Sequence, residues 1–130
     1  MSVFGEVCEL LAESQIYGHW RMDKVIKTFV PPIAHKQALV FRKGGKMVAI
    51  VTWAWVSDDA LEDLKSGKRR IDLDDWKSGE NLFFVDFLAP HGGVSKIMRH
   101  VMAHFRKKSG KGLEGHWYRP AKERSGHVVS

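Results

Sequence analysis

Asp86 stands inside an unbroken apolar run, Leu82-Phe83-Phe84-Val85-Asp86-Phe87-Leu88-Ala89-Pro90, with Glu80-Asn81 in front and His91-Gly92-Gly93 behind. Such a run reads as a strand buried on both faces in the middle of a sheet. Desolvating a carboxylate is costly, so an acid in a core strand is either paired structurally or held for chemistry, and spacing alone supports both readings. The chemistry would be the orientation of an imidazole. Of the seven histidines, His19 fits best: it sits between Gly18 and Trp20 in a stretch without periodicity, where a carboxylate can turn it into a base. His100 and His104 lie one helical turn apart, but no Glu accompanies them as in a zincin motif. No Cys/His set has zinc spacing and no Gly-x-Ser-x-Gly elbow occurs, so no metal site is expected. Gly92-Gly93 at the start of a helix would offer backbone N–H groups to an anion or a developing oxyanion. The pair fits neither a P-loop nor a Gly-x-Gly-x-x-Gly fingerprint.

Several elements must position these residues. Ser2 can cap an amphipathic helix with Val3, Phe4, Val7, Leu10, Leu11 and Ser14 on one face and Glu6, Glu9 and Glu13 on the other. A short helix from Asp23 uses Val25, Ile26 and Phe29, and Pro31-Pro32 is expected to end it. Residues 37–42 and 47–56 read as strands joined by a Lys43-Gly44-Gly45-Lys46 hairpin turn, with Trp53 and Trp55 on one face as core packing. Ser57 caps a helix that Gly67 closes, and Lys68-Arg69-Arg70 reads as a surface charge run. Residues 72–80 form a polar connector anchored by Trp76. After Gly92-Gly93 a helix buries Val94, Ile97, Met98, Val101, Met102 and Phe105 and turns Lys96, Arg99, Arg106 and Lys107 outward. A loop over 109–112, a strand over 113–119 and a basic tail from about residue 120, with a short last strand, complete the chain. The order predicts an α/β or α+β domain with a mixed sheet, and no repeat or linker divides the 130 residues.

Composition bounds the functional class. With 44% apolar and 28% charged residues the chain is that of a folded soluble protein. No signal segment is visible and the longest apolar run is too short for a bilayer, so a cytoplasmic location is expected. The single Cys8, set among Val7, Leu10 and Leu11, reads as a buried thiol. The net charge of +6 is concentrated at the end: residues 94–130 carry nine Lys/Arg against Glu114 and Glu123. That surface suits an acidic partner, be it nucleic acid, an anionic membrane or an acidic protein.

Five blocks carry a resemblance: Ser14-Gln15-Ile16-Tyr17-Gly18-His19-Trp20, Val30-Pro31-Pro32-Ile33, Thr52-Trp53-Ala54, Asp75-Trp76-Lys77-Ser78-Gly79 and Phe84-Val85-Asp86-Phe87-Leu88-Ala89-Pro90. In this order they resemble the toxin-activating lysine acyltransferases, the activators of RTX haemolysins, over roughly residues 3 to 100, and the likeness fades beyond about residue 106. The resemblance implies a GNAT-like acyltransferase fold with a mixed, mostly antiparallel central sheet flanked by helices and without the usual coenzyme A pyrophosphate loop. It implies transfer of a fatty acyl group from the phosphopantetheine thioester of an acyl carrier protein to the ε-amine of an internal lysine, with no permanently bound cofactor. The family works with a His and an Asp. The Asp falls on Asp86. The family's His falls on Tyr17, so His19 is taken to fill its role, with His91, Tyr17 and Ser14 as alternatives.

In this reading His19 removes a proton from the lysine and Asp86 orients the imidazole. Backbone N–H groups at Ala89, Gly92 and Gly93 receive the thioester oxygen. Lys96, Arg99, Arg106 and Lys107 dock the acidic carrier. The acceptor protein carries the target lysine, and the family's tendency suggests a homodimer. Two rivals are a basic nucleic-acid-binding module on the same fold, less favoured, and an acetyl-CoA-dependent N-acetyltransferase, disfavoured because no Gly-rich pyrophosphate loop is evident.

Overall fold

The Ser2 hydroxyl accepts a hydrogen bond from the Gly5 N–H at 3.0 Å, and helix α1, Val3–Ala12, starts from this cap. The computed structural model describes residues 2–14, 18–109, 114–119 and 124–129. Tyr17, the loop over 110–112 and the start of the basic tail at 120–123 lie outside the described residues.

Helix α2 spans Met22–Ala34 and corrects one expectation, because it runs through Pro31 and Pro32 instead of ending at them. A proline cannot donate to the carbonyl one turn back, but its fixed φ is helical and its carbonyl still accepts. Here the Pro31 carbonyl accepts from His35 N–H at 2.9 Å and the Pro32 carbonyl from Gln37 N–H at 2.7 Å. Pro32 is buried, so packing holds the last turn as well.

Strands β1, Ala38–Lys43, and β2, Lys46–Val56, pair antiparallel from Ala38 opposite Thr52 to Lys43 opposite Lys46. The two residues between them, Gly44 and Gly45, have φ of 60° and 80°, the left-handed pair that a two-residue hairpin turn requires. A bulge at Phe41/Arg42 shifts the register. It lets Met47 and Ile50, three apart, enter the same core. Helix α3, Asp58–Lys65, starts where the Ser57 hydroxyl accepts from Ala60 N–H at 3.1 Å, and Gly67 at φ 78° follows its end. Strand β3 is Asn81–Leu88 and helix α4 is Val94–Ser109. Strand β4, Glu114–Arg119, runs parallel to β3, the direction that a helical crossover permits, and β5, Arg124–Val129, returns antiparallel. The sheet order is β1-β2-β3-β4-β5, so both long apolar strands are interior. This is the mixed sheet flanked by helices of a GNAT-like α+β fold.

Two compact units divide the chain: Met1–Thr52 with Asp86–Gly93, and Trp53–Val85 with Val94–Ser130. In the first, Val7, Leu10 and Leu11 of α1 and Val25 and Phe29 of α2 pack with Met47, Ile50 and Leu88. In the second, Ala60, Leu61 and Leu64 of α3 pack with Ala54, Val56, Trp76 and Phe83. There too the Phe105 ring of α4 meets Trp53 edge-on at 4.9 Å, Trp55 at 5.9 Å and Phe84 at 6.1 Å, so both Trp rings pack on α4, Trp53 buried and Trp55 half-buried.

The charge run at 68–70 needs correction. Arg69 forks onto Asp75 at 2.6 and 3.0 Å and reaches Asp63 at 3.2 Å. Asp75 closes a 3-10 turn, Leu73–Asp75, inside the stretch read as a polar connector, and its carboxylate also accepts from Asp72 N–H at 2.7 Å.

Candidate functional site

Asp86 is 9% exposed within β3, and its N–H donates to the Thr52 hydroxyl at 3.2 Å. Thr52 is wholly buried. A hydroxyl from the neighbouring strand thus fixes the backbone at the acid, and both residues belong to the first unit.

His19 lies exposed in the turn that leads into α2. The chain is anchored on both sides of it. Gly18 donates its N–H to the Ser14 carbonyl at 3.0 Å, and a Cβ on Gly18 would fall 2.6 Å from that oxygen, so only glycine fits. On the other side Trp20 packs against the core with the Lys24 ammonium 4.0 Å from its ring centroid. Ser14 enters this turn through its main-chain carbonyl.

His91 has the most sharply defined contact. Its Nε2 lies 2.8 Å from Glu13 Oε2, and Lys46 Nζ donates to Glu13 Oε1 at 3.0 Å. The His91 contact first, and the Lys46 ammonium with it, hold the Glu13 carboxyl below the usual carboxylate range. Sequence reasoning put Glu13 on a solvent face of α1 and gave it no role; with 78 positions between it and His91, nothing local could have found the pair. Around His91 the chain makes a tight turn: Gly92 N–H donates to the Ala89 carbonyl at 3.2 Å, and Gly92 and Gly93 have φ of 89° and 81°. The Gly92 N–H is therefore engaged inside the turn, and Gly93 stands next to the start of α4.

Ser14, His19, Asp86, Ala89, His91, Gly92 and Gly93 all fall in the first unit. Lys96, Arg99, Arg106 and Lys107 are exposed on α4 in the second. His104, also on α4, is tilted against Trp53 at 6.4 Å, and burial, with Lys108 and His100 nearby, holds its imidazole below the ordinary value. Among the described residues no three His, Cys, Asp or Glu side chains gather as metal ligands, and no helix is long and apolar enough to cross a membrane.

The family model described as HlyC, RTX toxin acyltransferase family, matches residues 1–128. The chain belongs to this family. The match extends past residue 106, where the resemblance of the separate blocks fades, through β4 and almost to the end of β5. Among curated relatives the chain is 23% identical over 128 residues to the RTX-II toxin-activating lysine-acyltransferase ApxIIC of Actinobacillus pleuropneumoniae, covering 98% of this chain and 78% of that protein. It is 28% identical over 107 residues to the RTX-I toxin-activating lysine-acyltransferase ApxIC of the same organism, covering 79% of this chain and 60% of that one. It is 23% identical over 100 residues to the protein-lysine myristoyltransferase RtxC of Kingella kingae, covering 77% and 60%. The match therefore spans less than two thirds of the last two relatives' length. The family is one of acyltransferases, and these members are named as lysine acyltransferases.

Proposed function

We propose that the chain is a protein-lysine fatty acyltransferase that takes an acyl chain from the phosphopantetheine thioester of an acyl carrier protein and joins it to an internal lysine of an acceptor protein. The observation that carries this reading is Asp86, a carboxylate kept at 9% exposure inside an apolar interior strand of a family of acyltransferases. The 130 residues act as one acyltransferase-like domain. The reaction needs no resident metal or cofactor, and the reading includes a cytoplasmic location and a homodimer.

The chemistry sets the roles. A lysine ε-ammonium cannot attack a thioester, so a base must first take a proton, and an imidazole suits that task near neutral pH. His19 is that base, and Asp86 orients it and stabilises its cation. The free amine adds to the thioester carbonyl. Backbone N–H groups of the Ala89–Gly93 turn, with Gly93 foremost because the Gly92 N–H is engaged, face the oxyanion. The nitrogen of the adduct gives up its second proton, the C–S bond breaks, the amide forms, and the thiolate takes the proton held on His19 and leaves with the carrier as a thiol. Lys96, Arg99, Arg106 and Lys107 give the acidic carrier a cationic docking face on α4.

Incubation with carrier proteins bearing acyl chains of different length, followed by intact-mass detection on a lysine-containing acceptor, tests the proposal. Transfer by the wild type and its loss in His19→Ala and Asp86→Ala proteins of unchanged Tm are expected. Equal transfer by the variants would refute the assignment. Transfer from acetyl-CoA alone would make the protein an N-acetyltransferase. Steeply salt-dependent nucleic-acid binding without carrier binding would make it a binding module.

A further inference from the structure

The proton balance of acyl transfer leaves one task unassigned. A protonated amine and a thioester become an amide and a thiol, so each turnover near neutral pH releases one net proton to solvent. The group that hands it over must touch both the reacting amine and bulk water. His91 has the required exposure, with 60% of its side chain open to solvent, and it follows Asp86 by five residues in the same unit.

Three features fix His91 beyond what a surface ion pair needs. The Ala89–Gly92 hydrogen bond closes a turn with His91 inside it, which sets the backbone. Glu13 at the end of α1 is set in turn, its N–H bonded to the Leu10 carbonyl at 3.1 Å. Its carboxylate is then held from two sides, by His91 Nε2 at 2.8 Å and by Lys46 of β2 at 3.0 Å. An exposed Lys–Glu contact of this kind contributes little to stability, so stability alone gives little reason to add an imidazole to it. A carboxylate that holds one imidazole nitrogen leaves the other aimed away from it and fixes the ring's orientation.

We propose that His91 is a second base, taking the proton that the attacking nitrogen must lose after it has added to the thioester and passing it to water, and that Glu13 is its positioning residue. This rests on the acyl-transfer reading above. His19 takes the first proton, from the ammonium; after addition an N–H bond of the adduct breaks, its electron pair stays on nitrogen, and that second proton resides on the His91 imidazole before leaving to solvent. The thiolate takes the proton held on His19, so the one net proton of each turnover passes through His91.

The test uses the full chain, a myristoylated acyl carrier protein as donor and Nα-acetyl-lysine methylamide as acceptor. His91→Ala should lower kcat by about a hundredfold, within the range for loss of a general base, with little change in KM for the carrier. Added imidazole should recover part of the rate, which a merely structural role would not allow. Glu13→Gln should slow the reaction about tenfold or more through misplacement of the ring, and Glu13→Asp should recover part of that. Wild-type transfer with His91 and Glu13 variants equally fast, or slow variants that imidazole leaves unchanged, would overturn this inference alone. Absence of transfer by the wild type from any carrier would overturn the acyl-transfer reading beneath it, and the inference with it.

Discussion

Asp75→Asn should cost more stability than any other single change of one carboxylate to its amide. The Asp75 side chain takes two hydrogen bonds from Arg69, at 2.6 and 3.0 Å, and a third from Asp72 N–H at 2.7 Å, at 7% residue exposure. In the asparagine an N–H₂ group would face one of these donors. Breaking a fully buried pair costs about 3–5 kcal/mol, and an exposed pair is worth about 0–1 kcal/mol. The Arg69 side chain is 37% exposed, which places this pair between those limits at about 2 kcal/mol. At about 2 cal/mol/K per residue of unfolding entropy, that lowers Tm by about 7 °C for a chain of this length. The pH dependence follows the same contact. Arg69 first, and the Asp72 N–H with it, hold the Asp75 carboxyl below its ordinary value of 3.8, so the contribution is fully present above that value and is lost as pH falls through the lower folded one. Thermal unfolding followed by circular dichroism from pH 7 to pH 2.5 should show the wild type falling more steeply than Asp75→Asn at the acid end. A variant within 1 °C of wild type at pH 7 would refute this reasoning.

Thr52→Val keeps the buried shape but removes the acceptor of the Asp86 N–H, so it should cost about 1–2 kcal/mol in urea unfolding and reduce acyl transfer along with it. Gly18→Ala would press a Cβ to 2.6 Å from the Ser14 carbonyl; the turn before His19 must shift, and transfer should fall with Tm nearly unchanged. Chiefly through burial, His104 is held below 6.5, so its stabilising share is complete above that pH and is lost as pH falls through the folded value. His104→Phe should therefore flatten the drop in Tm between pH 7 and 5.5.

How far the fold could be read depended on the range of the interactions that decide it. Ser2, Ser57 and the Gly44-Gly45 turn act within a few residues, and each does what its chemistry implies. The apolar runs of β2 and β3 gave the interior of the sheet for the same reason, and the stripe of α4 gave the crossover, although of that stripe only Val101, Met102 and Phe105 are buried and Val94 stands exposed at the helix start. Pro31-Pro32 misled because the local rule for ending a helix ignores what buried packing and proline carbonyls can hold together. Arg69 looked like surface because Asp63 and Asp75 stand six positions away on either side, too far for a helical or strand period to pair them. In the candidate site Asp86 was visible as a charge in the wrong company. Glu13 was not, since on α1 it is one more acid in an outward row and its meaning appears only when the turn after β3 brings His91 to it.

The most direct test of the central claim is a single-turnover measurement of amide formation, with acylated carrier mixed with excess protein and a lysine acceptor, for the wild type and for Asp86→Asn. Replacing the orienting acid of a His-centred site by its amide costs about 10⁴-fold in the well-studied serine protease triad. A loss of at least about a thousandfold, with the variant folded and still binding the carrier, is the result predicted here. An Asp86→Asn protein that forms the amide at the wild-type rate would contradict it.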